Sequence, residues 1–137
     1  MDKTSETLQI AASGLRAQAS RMRIIAENVA NANSTGRTPE EDPYQRRIPV
    51  FDAELNREIG ARMVRMDDVR LDDSAFRLVH EPGHPAADEE GYVRYPNVSS
   101  LIEMMDMRDA QRSYEANLTM VENTRRMLER TLDLLRR

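Results

Sequence analysis

The sequence predicts a mainly α protein, in which long N- and C-terminal helices pair as a coiled coil with a small β-rich insert between them. Two observations predict this class. Apolar residues recur at helical spacing near both ends, and all six prolines fall between positions 39 and 96. Because proline interrupts helices, we divide the chain into an N-terminal helical arm (1–36), a β-rich or loop insert (37–96) and a C-terminal helical arm (97–137).

The composition predicts a small interior. Hydrophobic residues make up 39% of the chain, aromatic residues 4% and charged residues 32%. Little bulky material is therefore available to fill a core. We expect much of the apolar surface to be covered by a partner.

The N-terminal arm carries an apolar stripe whose members follow one another at alternating steps of four and three residues, which is the heptad spacing of a coiled-coil helix. The stripe consists of Leu8, Ala12, Leu15, Ala19, Met22, Ala26 and Val29. Large residues alternate with alanine, which lets helices approach closely but buries few methylenes, at roughly 0.8 kcal/mol for each. The arm is expected to be marginally stable alone and to form an assembly interface.

Asparagines cluster where this stripe ends, in the stretch NVANANSTG at positions 28–36. Asparagine terminates helices because its amide competes for nearby backbone groups and tolerates the left-handed conformation. Alternatively, Asn31 and Asn33 satisfy backbone groups of a docked partner, as polar residues in coiled-coil seams fix register. Both roles are compatible, so Asn31 and Asn33 join the candidate interface.

The insert is predicted to contain short strands separated by loops. Apolar and β-branched runs at 48–51, 76–79 and 92–95 predict three of them. Two further strand-like runs, 61–66 and 69–71, are expected to flank a turn at Asp67 and Asp68.

The C-terminal arm carries a second apolar stripe, which Arg125 interrupts. Its members are Met107, Ala110, Tyr114, Leu118, Val121, Leu128, Leu132 and Leu135. A ridge of Met120, Met127 and Leu134 widens the apolar arc, so more than one neighbouring helix can dock on it. The helix is too long for so small an insert to cover.

One motif matches the zinc-protease pattern, since His80-Glu81-Pro82-Gly83-His84 has the form H-E-x-x-H. Zinc-dependent hydrolysis by this motif needs a helix, because a helix brings both imidazoles to one face. Pro82 and Pro85 oppose a helix here, so we interpret the segment as a structural turn. We predict no catalytic residue, no metal site and no cofactor; the alternative is a zinc hydrolase with His80, Glu81 and His84 as its site.

The net charge and the absence of cysteine argue against several classes of function. The formal net charge is −4, and no segment has the basic excess expected for nucleic-acid or membrane-surface binding. The chain has no cysteine, which suits an oxidising compartment. Its first residues show an amphipathic pattern, so we expect neither a cleaved signal peptide nor a membrane span.

Several stretches carry a family resemblance. Residues 10–18 and 30–36 resemble the signature of bacterial flagellar rod and hook axial proteins. Residues 76–85, with 91–93, 96–98, 103–107 and 112–117, are similar to the narrower pattern of proximal rod proteins. The chain departs from many relatives after Gly36, where Arg37 stands in place of a tyrosine and Tyr44 follows later.

The resemblance implies a structural subunit of the basal-body rod, the shaft that crosses the periplasm and transmits torque to the hook. It implies export without cleavage by the flagellar type III apparatus. The implied partners are other rod proteins and copies of the same chain, without nucleic acid or direct membrane insertion. A free-standing cytosolic coiled-coil adaptor is the remaining alternative.

Overall fold

The computed structural model describes residues 3–136 and has helices at both ends with strands between them. The elements in chain order are α1 (Lys3–Ala30), β1 (Arg47–Asn56), β2 (Ala61–Leu71), β3 (Arg77–His80), β4 (Tyr92–Tyr95) and α2 (Ser100–Leu135). β1 pairs with β2 and β3 with β4 in two separate two-stranded sheets. The predicted fold class is thereby confirmed at the level of two long terminal helices and a small β insert.

The turn predicted at Asp67 and Asp68 is wrong, because β2 continues through both residues. The chain reverses earlier, at residues 57–60 between β1 and β2. Gly60 has a φ of 67°, a conformation that glycine adopts without steric cost. Since the reversal occurs there, the two aspartates remain within the strand.

The chain forms two compact units, each built from separate stretches. Unit 1 contains the N-terminal stretch up to Met22, the hairpin stretch Val50–Asp68 and the C-terminal stretch from Arg108. Unit 2 contains Arg23–Pro49 and Val69–Met107. Each unit therefore includes part of α1 and part of α2.

Unit 1 is packed mainly through small side chains. Its buried residues are Ala11, Ser13, Ala17, Ile59 and Ala110. Gly14 lies so close to α2 that an added Cβ would come within 2.9 Å of the Asn117 amide nitrogen. The Ser13 hydroxyl donates to the Ile10 carbonyl at 2.6 Å and accepts the Val64 amide at 3.3 Å. In this unit α1 thus contacts both α2 and the hairpin.

Unit 2 has a more substantial apolar interior, formed by Ile24, Ile25, Ala32, Ala86, Val93 and Val98. Its sheet is antiparallel, with Arg77 opposite Tyr95 and Val79 opposite Val93. The loop between β3 and β4 closes through the Glu81 amide, which donates to the Gly91 carbonyl at 2.9 Å. Gly91 has a φ of 85°, which explains a glycine at this position.

Candidate assembly interface

The side-chain amide of Asn28, in the last turn of α1, is buried and hydrogen-bonds to the backbone of Arg47 as a paired strand would. The Asn28 nitrogen Nδ2 donates to the Arg47 carbonyl at 2.8 Å, and Oδ1 accepts the Arg47 amide at 3.0 Å. Oδ1 also accepts the Tyr44 hydroxyl at 2.7 Å. Burial raises the pKa of the Tyr44 phenol. Asn28 therefore fixes the chain at the start of β1 against α1.

A fully buried carboxylate, that of Glu103 in the first turn of α2, meets this cluster. It accepts hydrogen bonds from Arg46 Nε and, at 3.4 Å, from Asn28 Nδ2. A buried charge is costly unless it is paired and hydrogen-bonded. Glu103 meets both conditions, and its partners come from α1 and from the segment before β1.

Arg46 is the centre of the ionic contacts. Its guanidinium also reaches Asp72 at 3.2 Å and Asp106 at 3.5 Å. Burial lowers the pKa of Arg46, but the hydrogen bonds and negative charges of Glu103 and Asp72 outweigh burial and raise it. The guanidinium thus stays charged and connects α2 to the end of β2.

Asp72 and Asn97 complete the cluster. The Asp72 carboxylate accepts the Ser74 amide at 2.8 Å. The Ser74 hydrogen bonds, followed by the nearby Arg46, lower the pKa of Asp72. Asn97 donates to the Asp72 carbonyl at 3.0 Å and accepts the Arg46 amide at 2.8 Å. We call Asn28, Arg46, Asp72, Asn97 and Glu103 the polar network.

The polar network was not predicted from the sequence. Glu103 offered a signal, because it is a lone acid among four large apolar residues, Leu101, Ile102, Met104 and Met105. Such a pattern is typical of a buried, paired charge or of a helix whose apolar residues face outward. Here both apply, since Glu103 is buried and its four neighbours are exposed.

The predicted stripe of α1 is not the face of the helix that is buried within the chain. Leu8, Ala12, Leu15 and Met22 are half-buried, whereas Ala19, Ala26 and Val29 are exposed. The buried positions Ala17, Ile24 and Asn28 lie on another face. Two positions along a helix correspond to a rotation of about 200°, so Ala19 and Ala26 point away from the side that Ala17 and Ile24 occupy.

The predicted stripe of α2 is divided between buried and open positions. Ala110 is buried, and Met107, Tyr114, Val121 and Leu128 are half-buried. Leu118, Leu132 and Leu135 are exposed. Beyond Leu128, every residue from 129 to 136 is exposed. The chain thus covers the first part of this stripe and leaves the last two turns of α2 exposed to solvent.

Asn31 and Asn33 both have partners within the chain. The Asn31 amide donates to the Glu27 carbonyl at 2.9 Å, and its oxygen accepts the Ser34 hydroxyl at 3.1 Å. Arg77 donates to the Asn33 oxygen at 3.4 Å. Asn31 therefore satisfies a carbonyl of the last helical turn, which is the local role that asparagine was expected to play. Contact with a partner remains a prediction.

His80 ends β3 and the residues after it form a turn. The side chains of His80, Glu81 and His84 each have a partner within the chain. Glu81 accepts the Tyr95 hydroxyl at 2.9 Å, and this bond raises the pKa of Tyr95. His84 Nδ1 accepts the Ala86 amide at 3.0 Å, and the His80 ring packs edge-on against Tyr92. Among residues 3–136, no three histidine, cysteine or acidic side chains are placed to hold a metal ion.

Comparison with known proteins adds two family matches. Residues 8–36 match the family described as "Flagella basal body rod protein". Residues 89–134 match the family described as "Flagellar basal body rod FlgEFG protein C-terminal". The matched stretches include most of α1 and nearly all of α2.

Relatives align over nearly the whole chain. A protein of Agrobacterium fabrum named "Flagellar basal-body rod protein FlgC" is 47% identical, over 99% of this chain and 98% of its own length. Proteins of the same name from Aquifex aeolicus and Escherichia coli O6:H1 are 42% and 41% identical, each over at least 91% of this chain.

Proposed function

The chain belongs to the FlgC family of flagellar basal-body rod proteins, and from that premise we propose how it assembles. It is a structural subunit of the bacterial flagellar basal body rod, and not an enzyme. We propose that its two terminal helices pair as a coiled coil and pack against neighbouring subunits. The rod so formed crosses the periplasm and transmits torque to the hook.

The proposed interface comprises the two predicted apolar stripes together with Asn31 and Asn33. The single observation that supports it most is the orientation of the α1 stripe. Its heptad spacing suits helix packing, yet Ala19, Ala26 and Val29 are left exposed by the chain itself. Apolar residues that the chain leaves exposed at this spacing are available for contact with a partner. We retain the division into arms 1–36 and 97–137 and insert 37–96 as part of this proposal.

The proposed partners are other rod proteins, further copies of the chain and the flagellar type III export apparatus. No nucleic acid or direct membrane insertion is part of the proposal. Within the described residues, neither helix combines the length and apolar character needed to cross a bilayer. Ala11 and Ala17 are buried, so the N-terminal arm contributes to packing, which supports export without its removal.

Alanine enlargement tests the proposed interface. We expect Ala19→Leu combined with Ala26→Leu to leave the monomer's circular dichroism unchanged, because both positions are exposed. Incorporation into purified basal bodies should fall, because overpacking a close helix contact costs about 1–3 kcal/mol. Ala116→Leu, at an exposed α2 position outside both stripes, is the matched control. Normal incorporation of the double variant would contradict the proposed interface.

A further inference from the structure

The strand β1 has an edge that pairs with no other strand. Residues 51–55 of β1 are all exposed, and among the described residues β2 is the one strand paired with β1. On its other side β2 faces α1, because the Val64 amide donates to the Ser13 hydroxyl at 3.3 Å. The open edge of the hairpin is therefore that of β1. An edge strand presents backbone groups with which a strand of another chain can pair.

The backbone groups on this open edge belong to every second residue of β1, beginning with Arg47. Both backbone groups of Arg47 bond to the Asn28 side chain, so they point away from β2, and such groups alternate between two sides along a strand. Pro49 comes next on that side and has no N–H to leave unpaired. Further along, the Ala53 amide donates to the Asp52 carboxylate at 2.8 Å. Both features reduce the number of donors that a second strand could use.

The exposed run FDAEL at 51–55 has the same pattern in either direction, which is apolar, acidic, alanine, acidic, apolar. Two copies laid antiparallel with Ala53 opposite Ala53 would therefore place Phe51 opposite Leu55 twice. Apolar pairs of this kind across two strands stabilise a sheet. The same register places Asp52 opposite Glu54 twice, and like charges directly opposite each other destabilise it.

Moving the second copy along the strand does not remove this repulsion. Because backbone groups alternate, the register changes in steps of two residues. One such step sets Asp52 opposite Asp52, and the step in the other direction sets Glu54 opposite Glu54. Glu54 also pairs with Arg65 at 3.3 Å, but both side chains are largely exposed, and ion pairs of that kind are weak. Every register that overlaps three or more residues of the run thus opposes like charges.

We propose that Asp52 and Glu54 keep β1 from pairing with β1 of a second copy. Without their charges, the two edges would pair antiparallel around Ala53 and join two hairpins into one four-stranded sheet. This edge is separate from the helical stripes of the proposed interface, so the inference goes beyond the proposed function. Strand pairing of this kind would divert a subunit that assembles through its helices.

Removal of the two charges tests the inference in the full-length chain. Asp52→Asn with Glu54→Gln keeps the shape of both side chains, and residue 52 keeps an oxygen that can accept the Ala53 amide. We expect the self-association constant, measured by sedimentation, to rise at least about tenfold, because the opposed like charges disappear. Amide hydrogens of residues 50–56 should exchange more slowly in the associated form.

The matched control removes the same net charge elsewhere. Glu40 and Glu89 are exposed and lie outside β1. Glu40→Gln with Glu89→Gln should leave both the self-association constant and the exchange of residues 50–56 unchanged. A general effect of lower net charge is thereby separated from an effect of the β1 edge.

Cysteine cross-linking tests the register, since the chain contains no cysteine. Ala53→Cys combined with the two neutral substitutions should give a disulfide-linked dimer on mild oxidation. The reason is that a hydrogen-bonded antiparallel pair has its Cα atoms about 5.5 Å apart, which suits a disulfide. Ala75→Cys, exposed outside β1, is the control in the same background and should give little product. Ala53→Cys alone should also give little product.

Charge reversal tests whether repulsion is the cause. Asp52→Lys with Glu54→Lys should not pair with itself, because lysines then oppose lysines. Mixed with the wild-type chain it should pair, because lysines then oppose acids. Ala53→Cys introduced into both chains measures the mixed dimer.

Three results would overturn the inference. They are association of the neutral variant no stronger than that of the Glu40 and Glu89 control, equal cross-linking at residues 53 and 75, or no mixed dimer after charge reversal. None of these results would contradict rod membership, which is measured separately by recovery of the chain in purified basal bodies.

Discussion

The carboxylate of Glu103 is fully buried in the first turn of α2, whereas the four large apolar residues beside it in the chain are exposed. Burial of a carboxylate is tolerated here because Arg46 and Asn28 hydrogen-bond to it. Replacing such a pair by apolar residues is often neutral, whereas removing one member leaves a charge without its partner.

Removing the Glu103 carboxylate should therefore destabilise the chain. We expect Glu103→Ala to lower the free energy of unfolding by about 2–3 kcal/mol, less than the roughly 3–5 kcal/mol typical of fully buried pairs. The reason is that Arg46 keeps Asp72 and Asp106 as partners. Denaturant unfolding measures the loss, with the exposed Asp109→Ala on the same helix as control. A loss no larger than that of the control would contradict this account of the network.

Asp72 gives the network a predicted pH dependence. The Ser74 hydrogen bonds and Arg46 hold its pKa below the ordinary value of 3.8. A carboxyl with a lowered folded-state pKa contributes stability above its unfolded pKa, and loses it as the pH falls through the folded value. The difference in unfolding free energy between wild type and Asp72→Asn should therefore shrink as the pH falls below 3.8. Asp73→Asn is the matched control, and a pH-independent difference for Asp72→Asn would contradict the assignment.

The polar network could not be predicted from sequence because its members are far apart in the chain. Asn28, Arg46 and Glu103 come from α1, the segment before β1 and α2, and each is a residue type that usually lies at the surface. Only the fold brings them together. By contrast, the helix-terminating role of Asn31 was predictable, since it depends on the Glu27 carbonyl, only four residues earlier in the last turn of α1.

At the scale of elements, apolar periodicity and proline position were sufficient to predict two terminal helices and an insert of strands. They did not predict which face of α1 is buried. The predicted stripe followed heptad spacing from Leu8, whereas the α1 residues buried in unit 1 are Ala11, Ser13 and Ala17. Small residues permit close helix contact, and hydrophobicity alone does not identify them.

Gly14 makes a close contact with α2 in unit 1, and its substitution should have opposite effects on helix propensity and on packing. Gly14→Ala favours the isolated helix by roughly 0.5–1 kcal/mol, but the new Cβ would meet Asn117 at 2.9 Å. We expect increased helicity of the dilute chain together with reduced incorporation into rods. Asn117→Ala should restore incorporation of Gly14→Ala, because it removes the obstructing amide. Asn117→Ala alone is the control and should be incorporated normally. If it is, and the double variant is still not incorporated, the contact between residue 14 and Asn117 does not limit assembly.

At the scale of the whole molecule, the two units differ in what stabilises them. Unit 2 buries Ile24, Ile25, Val93 and Val98 and contains the polar network. Unit 1 buries chiefly alanine and serine side chains, with Ile59 as its large exception. A fully buried isoleucine contributes about 1.5–3 kcal/mol, and each buried methyl or methylene about 0.8 kcal/mol. Ordering the backbone costs roughly 1–2 kcal/mol per residue in both units.

This difference predicts graded order in the dilute monomer. Amide hydrogens in residues 3–22 and 108–136 should exchange faster than those in residues 23–30 and 77–107, because protection follows local buried contacts. Protection of the first set should rise when subunits associate and cover the exposed stripes. Hydrogen exchange read out by mass spectrometry measures protection in both states. Ile25→Ala should reduce protection in unit 2 and have little effect on protection in unit 1. Equal protection of the two sets in a dilute, demonstrably monomeric sample would show that neither stripe needs a neighbour in order to fold.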